Sequence, residues 1–196
     1  MRKLTIVFAL VVACMLSLDS LYSEDKGKAD AIASDEYAVY TAAMEQAVGA
    51  LFYVVMDTTS MHDKPENIDR ALSFPVEHGN LITEDLVKDF RFRNQQSHRL
   101  TQNFPPNISV TLITENERSA FFADSYKSGW TKFYERYKGA SGITTLSCAG
   151  FNEKRDTAIV YVGNVRHWES GSGAYLLLVK ADGKWKVISE TRGWIS

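Results

Sequence analysis

The chain has 196 residues, 45% hydrophobic and 23% charged, with a formal net charge of −2. That is about one domain's worth of sequence, with enough apolar material to build a core without disulfide staples. The weak charge and the lack of a basic stripe exclude a nucleic-acid partner, and no apolar run long enough to span a membrane follows the leader.

Residues 1–23 read as an export signal. Arg2 and Lys3 supply the positive start, and Leu4 to Ala13 is a short apolar stretch that extends at most to Leu18. Val11-Val-Ala-Cys14 resembles the bacterial lipobox, in which a cysteine behind small residues is acylated; the other reading is cleavage near Ser20 or Ser23. Membrane contact is therefore expected only through a lipid on Cys14. With the leader removed, Cys148 has no intramolecular partner, and its strand-like setting predicts a buried, inert thiol.

Residues 24–33 are small and charged and read as a tether. Ser34 can cap a helix over 35–48. Asp35 and Glu36 stand in its first turn, Tyr37, Tyr40, Met44 and Val48 at helical spacing, and Gly49 as a stop. Leu51 to Met56 is a continuous apolar run that predicts a buried strand. Asp57-Thr-Thr-Ser60 at its end reads as a turn; the sharper alternative is a polar site projected from a strand end. Met61 to Ile82 is loop-rich. His62, His78 and His98 have no metal-ligand spacing, so no metal and no cofactor is expected.

Thr83 can cap a helix over 84–101, with Leu86, Val87, Phe90 and Leu100 inward and Glu84/Lys88 and Asp89/Arg93 as ion pairs four residues apart. Arg91, Arg93 and Arg99 fit a solvated face. Asn103-Phe-Pro-Pro106 breaks the helix, Ile108 to Ile113 reads as a strand, and Glu115 to Asp124 as a short helix. Trp130, Phe133, Tyr134 and Tyr137 form a one-face stripe on a helix over 130–138, read as core rather than an aromatic ligand box.

Four strand-like runs close the chain: 143–151, 157–163, 174–180 and 185–191. Asn152 to Asp156 is a turn, Asn164 to Gly173 a longer loop, and Asp182-Gly183 a tight hairpin signal. Trp194 predicts a docked C-terminal segment. Together these predict one α+β domain over 34–196, an antiparallel, mainly C-terminal sheet packed on one face by about three helices.

Gly129-Trp-x-x-Phe-Tyr134, Ser147-x-x-Gly-Phe-Asn152, Ala158-Ile-Val-Tyr161, Gly171-x-Gly-x-Tyr175, Lys184-Trp-Lys-Val187 and Trp194-x-Ser196 together resemble a group of uncharacterised exported bacterial proteins. That resemblance implies export and no known activity. The last hairpin, with Asp182-Gly-Lys-Trp-Lys-Val187, is similar to the ending of NTF2-like (cystatin-like) α+β domains.

Function is expected to be non-catalytic: an exported binding or interaction module of the bacterial envelope or periplasm, with a protein or small-molecule partner. Arg166, His167, Trp168 and Glu169 form its candidate contact surface, because that loop combines charge, an aromatic and glycine freedom. The alternative is a small secreted hydrolase using Asp57, His167, Glu169 and Ser170, brought together only by the fold.

Overall fold

In the computed structural model, which describes residues 35–61, 72 and 74–196, the apolar run after Leu51 forms the first strand of the sheet, β1 (Phe52–Met56). The leader, Cys14, the tether, Ser34 and His62 lie outside the described residues. β1 pairs in parallel with β2 (Ser109–Ile113) on one side and β3 (Ala140–Leu146) on the other. The rest is antiparallel: β5 (Thr157–His167), β6 (Ser170–Ala181) and β7 (Lys184–Ile195) follow β3 outward, and the short β4 (Gly150–Phe151) pairs with β5. The sheet has seven strands in the order β2-β1-β3-β5-β6-β7, and the fold is α+β.

The helices follow their local signals. Residues 35–47 form α1, with Tyr37, Tyr40 and Met44 buried as their spacing predicts; the turn at Gly49 has φ +61°. α2 is Glu84–Arg93, α3 Glu115–Phe122 and α4 Tyr126–Arg136. Thr114 and Glu117 form a reciprocal capping box at α3, and Ser125 caps α4, so the aromatic helix starts earlier than its stripe suggests. Glu36–Ser196 is one compact unit.

Three helices share one sheet face. Leu86 and Phe90 of α2 pack with Ile159, Tyr161, Tyr175 and Leu177, while Trp130, Phe133 and Tyr137 pack with Val54, Met56, Ile113 and Ile143. On the opposite face, Val160, Val162, Leu176 and Leu178 are also buried, and Ala47 and Val48 at the end of α1 stand near Val162 and Ala174.

Three elements differ from their sequence expectation. The helix over 84–101 ends at Arg93, because long-range partners claim the chain beyond it. Asn94 pairs its amide with the backbone of Cys148 in both directions, 2.9 Å each way, and Arg99 bridges to Thr58. The pair Glu84–Lys88 forms at 2.7 Å, whereas Asp89 accepts the Phe151 N–H and Arg93 pairs with Glu36. The expected loop 164–173 is instead the end of β5 and the start of β6, joined at Trp168-Glu169. Its glycines face a side chain: a Cβ at Gly171 or Gly173 would overlap the Trp194 indole, whose Nε1–H donates to Tyr161 Oη at 2.7 Å.

The run 143–151, expected as one strand, is divided between β3 and β4 by a break at Ser147–Ala149. There the Ser147 hydroxyl accepts the Tyr161 N–H at 2.8 Å, in place of a strand carbonyl. Side chains take up the outward N–H groups of the segment that follows: Ala149 to Glu36, Phe151 to Asp89 and Glu153 to Asp85, at 2.7–3.0 Å. Asp85 and Asp89 are four residues apart on α2, so one helix face replaces a missing strand. Asp182 and Gly183 both have positive φ, as the tight hairpin requires.

Candidate functional site

Where β1 leaves the sheet, its continuation is pinned from three sides. The Asp57 N–H donates to Ile113 O at 2.8 Å and the Leu100 N–H to Asp57 O at 2.7 Å. Thr59 N–H donates to His98 O, and Ser60 N–H to Leu146 O, at 2.8 and 2.7 Å. The Thr59 hydroxyl, itself buried, accepts the His98 N–H at 2.8 Å. Asp57-Thr-Thr-Ser60 is thus not the turn its composition predicts: after a bend at Asp57 the chain runs on, bridged at Thr58 to Arg99, because distant backbone groups take its N–H and C=O groups.

That segment forms one lip of a 590 Å³ cleft beside the Trp130 cluster of the helix-covered face. Met56, Ile143, Thr145 and Val165 make its sheet side, and Phe122, Tyr126 and Trp130 its helical wall. The wall is an aromatic stack: Phe122 meets Trp130 with ring centroids 5.0 Å apart and Tyr126 at 5.4 Å. Tyr126 is 64% exposed, so the stack runs from the core to solvent. Thr58, Thr59, Ser60 and Ser97 supply polar groups at the rim, beside Glu115 and Arg118.

The two charged rim groups are committed to each other. Arg118 donates to both oxygens of Glu115, from Nε at 2.7 Å and from Nη2 at 2.5 Å. These bonds, with one from the Ser119 hydroxyl, hold the Glu115 carboxyl below its ordinary range, and the same pairing raises Arg118. Behind the lip, burial pushes the Cys148 thiol up, and its Sγ lies 3.5 Å from Thr59 Oγ1. It is therefore a protonated, inert thiol.

One polar atom of the wall stands apart. Trp130 is 3% exposed, and its Nε1–H is buried without a hydrogen-bond acceptor. Trp185 Nε1 is also unpaired, but that ring packs on Phe151 and under the Lys180 ammonium and does not line the cleft. A buried N–H without a partner costs on the order of 1–3 kcal/mol, so an acceptor that reached this one, on a ring that borders the cleft, would be stabilising.

The residues singled out from the sequence fall in different places. Asp57 lies two residues past one end of the Val55–Thr144–Asn164 row, and His167 three residues past it in the opposite direction. At ~3.3 Å per residue this separates them by roughly 16 Å along the strands, beyond any proton transfer between them. Asp57 instead meets Arg99 at 3.5 Å. His167 pairs across the hairpin with Ser170, and its ring lies 5.8 Å from that of Trp168, which is 52% exposed. Arg166, His167, Trp168 and Glu169 form an exposed hairpin tip. Of that tip and its flank, Arg166 and Ser170 border a separate recess on the opposite sheet face.

Sequence reasoning read Trp130 as architecture alone. Its packing bears that reading out, but its N–H does not fit it, and no local signal distinguishes a paired indole from an unpaired one. Among the described residues, no group of three His, Cys, Asp or Glu side chains could hold a metal ion, and no helix is long and apolar enough to cross a membrane. No family model, curated protein or solved structure matches the chain.

Proposed function

We propose that this chain is an exported, non-catalytic binding module, and that its cleft takes a flat apolar or aromatic molecule carrying one hydrogen-bond acceptor. The observation that carries this reading is the buried, unpartnered Trp130 Nε1–H on the aromatic wall of a 590 Å³ cleft. Binding sites of small molecules are typically such clefts: mostly apolar, with a few fixed polar groups. The rim suits binding better than catalysis, because Glu115 and Arg118 neutralise each other.

Anilinonaphthalene sulfonate, an aromatic body with acceptor oxygens, is a direct probe. One saturable site is expected in a fluorescence titration, blocked by Val165→Trp, which fills the cleft from a position already 38% exposed. Phe122→Ala should weaken it roughly tenfold, from the lost ring contact. Dye binding that Val165→Trp leaves intact would sink the proposal.

Export rests on Arg2, Lys3 and the apolar stretch behind them, and envelope anchoring on Cys14. Metabolic labelling with a fatty acid tests the anchor. Label in the wild type that is lost in Cys14→Ser supports acylation, and an unlabelled mature chain means the other cleavage route.

A further inference from the structure

The recess on the opposite face of the sheet has a different chemistry. It measures 320 Å³ and is floored by β5, β6 and β7 below Ala47 and Val48. At its floor stands Asn164, 4% exposed in an otherwise apolar stretch. The buried Thr144 hydroxyl holds the Asn164 amide nitrogen at 3.1 Å, while the amide oxygen is buried and has no donor. In this arrangement Thr144 takes the amide's N–H and one acceptor is left unmatched.

The walls supply both signs of charge. Arg166 and Arg192 line the recess, and neither meets a carboxylate among the described residues; Arg166 Nη2 reaches only Ser172 Oγ, at 3.4 Å. Glu190 lines it too, unpaired among the described residues. Two free guanidiniums, a serine hydroxyl, a buried amide oxygen and a carboxylate match neither a bare anion nor a bare cation. They match a small molecule with a carboxylate at one end and an ammonium at the other. The volume is that of about ten waters at ~30 Å³ each, the scale of a ligand of about ten heavy atoms.

We propose that this recess binds a free α-amino acid. Arg166 and Arg192 receive the carboxylate, with Ser172 beside them; the Asn164 amide oxygen and Glu190 receive the ammonium. Guanidinium forks suit carboxylates because two N–H groups meet two oxygens in one plane. The buried amide oxygen calls for a donor on the ligand, and Glu190 beside it favours a positively charged one, an ammonium.

The test uses the full chain, with calorimetric titration of each of the twenty amino acids and with acetate, inorganic phosphate and ethylamine as partial probes. At least one amino acid is expected to bind saturably, with each partial probe weaker by tenfold or more. Arg192→Gln and Arg166→Gln, both exposed positions, should each weaken the amino acid roughly tenfold or more while leaving the melting temperature unchanged. Asn164→Leu should do the same, and the two arginine variants decide the matter if that one fails to fold. Tyr126→Ala, in the separate cleft, should change nothing here. Failure of every amino acid to saturate, equal binding of acetate or phosphate, or arginine variants that bind as the wild type does, would each overturn the assignment.

Discussion

Trp194 and Trp130 pack at the two halves of one sheet face, and their indole N–H groups meet opposite fates. Trp194 lies over glycine backbone at Gly171 and Gly173 and donates to Tyr161 Oη at 2.7 Å. Trp130 is the more deeply buried of the two, yet its N–H has no acceptor and its ring lines a cleft. Deep burial alone therefore does not mark a residue as purely structural. Where the chain has arranged glycines and a phenol around an indole, the fit is complete; where a donor is left over beside open space, the fit awaits something else.

The comparison can be broken most forcefully at Gly173. A valine there would drive a Cβ into Trp194 and Tyr161, and overpacking of this kind costs about 3 kcal/mol. Urea denaturation should show that loss, and a valine variant as stable as the wild type would mean that Trp194 is not seated as described.

The next effect is smaller and concerns the two N–H groups directly. Trp194→Phe deletes a donor and leaves the Tyr161 hydroxyl short of one partner, a loss of about 1.5 kcal/mol. Trp130→Phe also removes volume, but it deletes an unsatisfied donor at the same time. Those terms oppose each other, so its net cost should stay under about 1 kcal/mol while binding of anilinonaphthalene sulfonate weakens severalfold. Equal costs in thermal melts with unchanged dye binding would erase the distinction between the two rings.

The smallest effect is in pH. The Glu115 carboxyl is held below its ordinary range by Arg118, so its contribution to stability is present above about pH 4.3 and is lost as pH falls through the lowered folded-state value. The pair is partly exposed, which limits it to about 0.3 kcal/mol. Glu115→Gln should accordingly lower the melting point slightly at pH 7 and not at all well below pH 4. A difference that persists in acid would assign the effect to something other than this ion pair.

Much of this fold could be read locally. The hairpin at Asp182-Gly183, the apolar run of β1 and the stripe on α4 each carry their own physical signal, and each became the element that signal predicts. What stayed hidden depends on distant partners. Gly171 and Gly173 look like a loop until Trp194, some twenty residues on, is laid across them. The helix starting at Glu84 stops early because Asn94 finds Cys148. For the candidate site, Thr58–Ser60 and Trp130 each drew notice separately, but nothing in their spacing says that one cleft joins them. Asn164 had a signal that could have been used: a lone amide in the apolar run Tyr161 to Val165 needs a reason to be there.

The row of carboxylates along α2 bears on how copies of this protein behave toward each other. An open strand edge is a template for another chain. At the 149–153 edge, Glu36, Asp89 and Asp85 have already taken the outward N–H groups. An incoming strand would find no donors there and would face negative charge. The long outer edge at β7 is guarded differently, by two irregularities in its pairing with β6 and by Lys184, Lys186 and Arg192. The 149–153 edge is closed by saturation and the β7 edge by irregular pairing and charge, so neither of these two edges is an open template for another chain.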